Sequence, residues 1–546
     1  MKNTYLLLIL LAFIAACNQP QKVDSLVINA KVYTVDDTQK EASAFAIKNG
    51  KFIAIGNTEA LIKQYSATTI IDANQKPIFP GLIDAHCHFL GMGLVAQKIR
   101  LEGTKSYDEV LEKLVEFQKE KQLPFITGRG WDQNDWEIKE YPTKEKLDVL
   151  FPETPVVIRR VDGHALLANQ AAITLAGVTI NTIASGGEIL KIDGELTGVF
   201  IDKPMELIMS IIPTPSRKET TKALQTAENI CFSLGLTTVN EAGLEKHEIE
   251  LMDSLQQANL LHMKIYAMAS ANKENLDYYL NKGVVKTDRL NVCSFKYYGD
   301  GSLGSRGAAM KEAYSDKEHH HGALIYSVKN LTETAKRIAN SDFQMNTHAI
   351  GDSTNYIVLK TYKEALEGKK DRRWKIEHAQ IIDPDDFHYF ENIIPSVQPT
   401  HATSDMYWAE DRVGKDRIKN GYAYKKLLNK YGKIALGTDF PVEKVNPMLT
   451  FYAAISRKDL NGFPENGFQY ENALTREETL KGMTIWAAYS NFEEHEKGSI
   501  EVGKSADFVI LDQDIMTVNV DAIPNTQVLK TFSNGELVYQ KKLINE

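Results

Sequence analysis

The sequence predicts an α/β protein: a (β/α)8 barrel of the TIM type with a small β-domain assembled from both ends of the chain. Two observations predict it. In the middle of the 546 residues, eight short apolar runs alternate with amphipathic helical stretches, the pattern of a parallel β/α array. Both chain ends instead carry closely spaced strand signals joined by Asn-Gly turns.

The chain opens with an address. Met1-Lys2-Asn3 is a short basic segment, and Tyr5 to Ala16 is a continuous apolar run of twelve residues. That run is too short for a spanning helix of about 20 residues and fits the core of a signal peptide. It ends Ile14-Ala15-Ala16-Cys17, which resembles the lipobox of bacterial lipoproteins. The expected mature form starts at Cys17, is held to a bacterial membrane by acyl chains, and faces the periplasm or the exterior. Residues 1–16 are then signal peptide and 17–24 a polar tether.

Residues 25–80 begin the β-domain. Phe45 to Ile55 places two apolar arms around Asn49-Gly50, a type I′ hairpin signal, and 495–546 repeats the style about Asn534-Gly535. Between them, 81–494 supplies the barrel strands: Ile83–His88, Thr237–Glu241, His262–Met268, Ser294–Tyr298, Met345–His348, Lys375–His378, Ser396–Pro399 and Ile434–Thr438. Eight is the count a (β/α)8 barrel requires. The interval from about 95 to 220 is too long for one crossover and reads as an insertion, with helices at Tyr107–Lys121 and Ser216–Leu234 and β pieces at Pro155–Val161 and Gly187–Phe200.

Composition narrows the function classes. With 63 basic against 72 acidic residues the net charge is −9, so a nucleic-acid partner gets no electrostatic support. Only the N-terminus carries a long apolar run, which excludes a multi-span membrane protein. Cys87, Cys231 and Cys293 show no metal-knuckle spacing and read as buried, inert thiols. No nucleophile elbow, phosphate-binding loop or dinucleotide fingerprint occurs.

The chemistry lies at the strand ends. His86 and His88 in Asp84-Ala-His-Cys-His88 point to one side of a strand of period two, and two imidazoles so placed can chelate one ion. Further strands end at His348, His378 and Asp439. Four His and one Asp at the carboxyl ends of their strands occupy the face where barrel enzymes build active sites. Imidazole and carboxylate donors suit a divalent metal, Zn2+ first, with Fe2+, Mn2+ or Ni2+ as alternatives.

These residues sit in stretches that resemble the metal-dependent amidohydrolase superfamily: Gly81-Leu-Ile-Asp-Ala-His-Cys-His88, Asp300-Gly-Ser-Leu-Gly-Ser-Arg306, Thr347-His-Ala-Ile-Gly-Asp352, Ile376-Glu-His-Ala-Gln380 and Gly437-Thr-Asp439. The nearer likeness is to amidohydrolase family 3, the YtcJ-like proteins, which include N-substituted formamide deformylases; Gly128 to Asp132, Val161 to Ala165 and Gly498 to Ile510 match as well. The resemblance implies a composite β-sandwich beside the barrel and a hydrolase acting on amide-like C–N bonds. It makes His86 and His88 ligands of a first ion with Asp439 near it, and His348 and His378 ligands of a second. Lys296, in Phe295-Lys-Tyr-Tyr-Gly-Asp300, falls where members with two ions carry a bridging carboxylated lysine. Burial near cations lowers a lysine pKa, which the addition of CO2 requires. One or two ions per chain satisfy this pattern.

Asp439 is thereby also the expected proton acceptor. The resemblance adds His164 as a lid residue or a donor to the scissile carbonyl, and Trp131 and Asp132 as pocket walls. Asp300 and Arg306 follow the fourth strand in a Gly-rich loop over the expected site and are read as substrate contacts. Arg306 can hold a substrate carboxylate or simply staple its loop to an Asp. His401, beyond the seventh strand, is read as a substrate contact, and His319-His320-His321 as a solvated loop. Rival functions are a deaminase of the same superfamily and a metal- or solute-binding lipoprotein without turnover. Expected partners are a small-molecule substrate and a membrane engaged only through the lipid; a homo-oligomer is compatible with the chain. If Cys17 carries the lipid, Cys17→Ser releases the protein from the membrane fraction on cell fractionation; equal retention of both forms would refute the anchor.

Overall fold

The computed structural model describes residues 20–160, 165–183, 187–202 and 204–542. Cys17 and His164 therefore lie outside the described residues. Eight parallel strands form a nearly closed barrel: β1 (Leu82–Cys87), β2 (Leu236–Leu244), β3 (Lys264–Ser270), β4 (Leu290–Tyr298), β5 (Gln344–Ala349), β6 (Lys375–His378), β7 (Ile394–Val397) and β8 (Ala435–Leu436). Each pairs with its neighbours in chain order. All eight sequence-predicted strands are present. The seventh ends two residues sooner than its apolar run because Pro399 opens a helix, Pro399–Asp405, where a missing N–H costs nothing.

The barrel closes beyond β8. The Asp439 N–H donates to the His86 carbonyl at 2.8 Å, which brings the chain after β8 against β1. Gly437 permits this approach: a Cβ there would lie 2.5 Å from the His86 nitrogen and 2.8 Å from Asp84 Oδ1. Asp84 then clamps the seam, accepting from the Thr438 hydroxyl at 2.7 Å and from the backbone N–H groups of Thr438 and His86, each at 3.1 Å.

Both ends of the chain build the β-sandwich. Strands Lys51–Gly56, Ala44–Lys48, Gln21–Ile28 and Tyr65–Asp72 form one sheet. In the other, Glu536–Gln540, Val528–Ser533 and Phe508–Leu511 from the C-terminus continue into Pro77–Pro80, Lys31–Tyr33 and Glu41–Ala42. Phe45 and Phe52 of the first sheet meet Phe508 and Phe532 of the second in a shared core. Asn49-Gly50 and Asn534-Gly535 have positive φ at both positions, the backbone a type I′ hairpin turn needs.

Leu90–Thr226 forms a separate compact unit. Its six-stranded sheet runs, in order, Gly187–Ile192, Glu195–Asp202, Ala165–Ala168, Val156–Arg160, Ile126–Trp131 and Ile99–Arg100. Helix Tyr107–Lys121, capped by Ser106, packs Val110, Leu111 and Leu114 into its core. Cys87, Cys231 and Cys293 are free and buried. No helix among the described residues is long and apolar enough to cross a membrane.

A buried ion pair ties β3 to the C-terminal segment. The Lys264 ammonium donates to Asp507 at 2.5 and 2.7 Å and to the Asn534 side-chain carbonyl at 2.7 Å. Burial pulls the Lys264 pKa down even with Asp507 beside it. Asp507→Ala leaves an uncompensated buried charge and is expected to cost about 3–5 kcal/mol. The midpoint and slope of urea unfolding measure it; a loss below about 1 kcal/mol would show that the pair does not hold the sandwich to the barrel.

Candidate metal centre

The barrel delivers its polar side chains to one rim. His86 lies within β1 and His88 one residue past its end, Lys296 is in β4, His348 in β5, and His378 is the last residue of β6. Asp439 follows β8, and His401 sits in the first turn of the helix after β7. His378 (φ 75°) and Asp439 (φ 63°) take left-handed backbone that L-residues rarely adopt. Such strain persists where the surrounding structure over-determines it, commonly at functional sites.

Asp439 is the hub. Its Oδ1 lies 3.2 Å from His88 Nε2 and 3.7 Å from His86 Nε2, and its Oδ2 lies 3.6 Å from His401 Nε2. The His378 ring centroid is 4.8 Å from that of His86 and 4.5 Å from that of His348. The Lys296 ammonium lies 3.1 Å from His86 Nε2. Two three-residue groups, His86–His88–Asp439 and His378–His401–Asp439, each bring ligand atoms within 4.8 Å of one another.

The second ring nitrogens are tethered. His86 Nδ1 bonds Glu377 Oε2 at 2.7 Å, His88 Nδ1 donates to the Ala242 carbonyl at 3.1 Å, and His378 Nδ1 meets Gln398 Oε1 at 2.8 Å. Tethering Nδ1 sets the tautomer and aims Nε2, the arrangement that metal-binding histidines use. His348 Nε2, His401 Nε2 and Asp439 Oδ1 are buried without a hydrogen-bond partner. His348 Nε2 lies 3.5 Å from Asp300 Oδ1. Buried polar atoms are ordinarily satisfied, so His401 Nε2 and Asp439 Oδ1, unpartnered and adjacent at one rim, fit a bound cation.

Electrostatics favour the ligand forms of His86, His348 and His378, whereas at His88 burial is outweighed by Asp439, which raises the imidazole pKa. Burial holds the imidazoles of His86 and His378 below their usual range, and takes His348 down to about 3, so they stay neutral with a lone pair to give. Burial opposes ionisation of Asp439, but the adjacent His88 and then His86, His378 and His401 outweigh it and hold the carboxyl far below its usual range. Burial also lowers the Lys296 pKa, although Glu377 and Asp439 pull the other way.

Several expected site residues have other work. Arg306 makes a two-pronged ion pair with Asp316, at 2.7 and 2.9 Å, so the loop-staple reading holds and its fork is occupied. Asp300 is buried and accepts from the N–H groups of Ala309, Ile350 and Gly351 and from the Thr354 hydroxyl, which makes it a clamp on the loop rather than a substrate contact. Trp131 is buried in the core of the second unit with its N–H on the Ile158 carbonyl, and Asp132 pairs with Arg160 at 2.5 Å. His401, read as a substrate contact, lies at the rim with its Nε2 3.6 Å from Asp439 Oδ2. Among the three consecutive histidines, His320 Nε2 bonds the Arg306 carbonyl.

Glu377 was missed because strand alternation places it opposite His378. Left-handed backbone at His378 breaks that alternation and lets both neighbours serve the site. The signal available was the carboxylate beside the histidine. Gln398 and Gln380 flank ligand positions in the same way.

Residues 69–539 match the sequence profile of the Amidohydrolase family. The chain belongs to this family of metal-dependent enzymes. It is 30% identical to the putative amidohydrolase YtcJ of Bacillus subtilis, over 93% of this chain and 98% of that one. It is 25% identical to an N-substituted formamide deformylase of Arthrobacter pascens, over 95% and 99%. A metal-dependent hydrolase from Pyrococcus furiosus shares its fold with a TM-score of 0.77 at 27% identity, covering 90% of this chain and all (100%) of that one.

Loss of a tether should loosen the centre. Glu377→Ala frees His86 Nδ1 and is expected to weaken metal binding about 10–100-fold. Competition against a coloured chelator reads this directly, and unchanged affinity would show that Glu377 does not orient the ligand.

Proposed function

We propose that this amidohydrolase hydrolyses a C–N bond of the amide or formamide type. The observation that carries the reading is Asp439: a carboxylate kept ionised in a buried setting, with the Nε2 atoms of His86, His88 and His401 within 3.7 Å of its oxygens. The full-length similarity to a formamide deformylase supports formamides as the first substrate class to try.

His86, His88 and Asp439 would hold one divalent ion, and His348 and His378 a second, with Lys296 spanning them as its carbamate. Bound ions acidify water and polarise a carbonyl. Asp439 lies at the only carboxylate position in this ligand set and is the group that takes a proton from the attacking water. As the water oxygen bonds the carbonyl carbon, that proton passes to an Asp439 oxygen. When the C–N bond breaks, Asp439 returns the proton to the departing nitrogen, leaving an acid, an amine and the carboxylate restored. The buried imidazoles keep their positions throughout, because their Nδ1 tethers lie outside the reacting atoms.

The Lys296 amine meets one requirement for the carbamate, since burial favours its uncharged, nucleophilic form. Addition of CO2 forms an N–C bond and releases one proton, leaving an anion with two oxygens.

Asp439→Asn removes the proton acceptor and is expected to lower turnover by about 10²–10⁴-fold while retaining part of the metal. Lys296→Ala is expected to take the metal content from about two ions to about one or fewer. Metal per chain and hydrolysis across a panel of formamides, N-acyl amides and dipeptides measure both. An active Asp439→Asn enzyme would remove the proposed base, and unaltered metal content in Lys296→Ala would remove the bridge.

A further inference from the structure

We propose that the face of the barrel opposite the metal centre carries a binding site for a phosphate-bearing anion, built from lysines set among tyrosine rings. The inference stands on residues that the hydrolase reading does not use.

A cavity of about 610 Å³ opens on that face. Its lining comes from Gly368 to Arg373 before β6, from Glu391 to Ile393 before β7, and from Lys433 before β8. These are the amino ends of the strands whose other ends lead to His378, His401 and Asp439. The volume falls within the range of small-molecule sites, about 300–1,000 Å³.

The charge of the lining runs against that of the chain. The net charge of the chain is −9, yet Lys363, Lys369, Lys370, Arg372, Arg373 and Lys433 line the cavity against Asp371 and Glu391. Asp371 is already taken by Arg373, which pairs with it at 2.8 Å and with Glu494 at 2.9 Å. Four of the other cations have neutral partners. Arg372 donates to the carbonyls of Ala339, Ser341 and Phe343 at 2.9, 2.6 and 2.9 Å, and Lys369 to the Ala339 carbonyl and Asn340 Oδ1. The Lys363 ammonium lies 5.3 Å from the Tyr389 ring centroid, and that of Lys433 lies 4.5 Å from the Tyr489 centroid. Lys363, Lys370 and Lys433 have no carboxylate within 4.0 Å among the described residues.

Neutral partners hold a cation in place without cancelling its charge, so the positive field of the cavity is left for a ligand. Tyr489 sharpens the point. Its ring takes the Arg373 guanidinium at 3.8 Å as well as the Lys433 ammonium, which gathers two like charges on one side chain. An anion beside Lys433 relieves that repulsion.

The ligand class follows from the donors. Lys363, Lys370 and Lys433 offer compact ammonium charges, which suit phosphate oxygens, and not the planar fork that favours a carboxylate. A phosphate monoester carries about −1.5 to −2 at pH 7 and so balances more than one lysine. Tyr431 and Tyr489, with hydroxyl oxygens 3.3 Å apart, add polar groups to the wall. A soluble phosphate compound and the headgroup of an anionic phospholipid share this chemistry.

The test titrates pyrophosphate, inorganic phosphate and citrate into the full chain by calorimetry at one ionic strength. Vesicles of phosphatidylglycerol or of phosphatidylcholine are sedimented with the Cys17→Ser chain and with the same lysine variants built in it. The chains compared are the native one, Lys363→Gln/Lys433→Gln, Lys370→Glu, Lys329→Gln and His88→Ala. Lys329 is 84% exposed and outside the cavity, so it serves as the control. Both cavity variants are expected to bind pyrophosphate at least about 10-fold more weakly, the loss of charge-assisted hydrogen bonds. Lys329→Gln and His88→Ala should match the native affinity, the latter because the metal centre lies on the other face. Thermal unfolding without ligand checks that each variant folds. Pyrophosphate binding without vesicle binding would make the source a soluble compound; binding to phosphatidylglycerol alone, lost in the cavity variants, would make it the headgroup. Citrate bound as tightly as pyrophosphate, native affinity in both cavity variants, loss of binding in His88→Ala, or no binding of any phosphate probe would overturn the proposal. Turnover of the same chains tests the hydrolase reading separately.

Discussion

The structure depends on holding one ionised carboxylate, Asp439, in a place that water does not stabilise. Burial alone would neutralise it. The His88 imidazole, whose Nε2 lies 3.2 Å from Asp439 Oδ1, is the largest influence that reverses that balance. It and the imidazoles of His86, His378 and His401 come from the ends of β1 and β6 and from the helix after β7, so the charge exists only when the barrel is assembled. The seam clamp explains how the carboxylate is aimed. Asp84 fixes Thr438 and His86 at once, and the Asp439 N–H binds the His86 carbonyl. The backbone that carries the carboxylate is thereby registered on the backbone that carries its first histidines.

The outer partners perform a second task. An imidazole can aim only one nitrogen inward if the other is held, and Glu377, Ala242 and Gln398 hold three of them. Glu377 stays ionised despite its burial because His86, Lys375 and Lys296 surround it. Beneath the site, Lys375 is buried against the Tyr266 ring at 4.4 Å and donates to Asn491 at 2.7 Å. Burial brings its pKa down to about 8. The barrel interior thus continues the polar layer below the rim.

Much of this was legible from residue order. Strand periodicity placed His86 and His88 on one side, and the eight apolar runs located the strands to within a few residues. Asn49-Gly50 and Asn534-Gly535 announced their turns because only a few residue types tolerate positive φ twice in succession. The loop after β4 was less transparent. Arg306 and Asp300 look alike in sequence to groups awaiting a ligand, yet Asp316 and four donors of the chain itself take them up. A charged residue near a site carries no mark in the sequence of whether its partner is internal.

By itself the sequence determined the strand count, the hairpin turns and the chemical types gathered at the barrel rim, because these follow from local periodicity and from which side chains bind metals. Only the tertiary structure decided which nitrogen each histidine turns inward, that Glu377 serves His86, and that His401 joins the cluster. Those pairings link residues as far apart as His86 and Glu377, 291 positions along the chain. They rest on barrel register and on left-handed backbone at His378 and Asp439, which break the alternation from which side-chain direction is otherwise read.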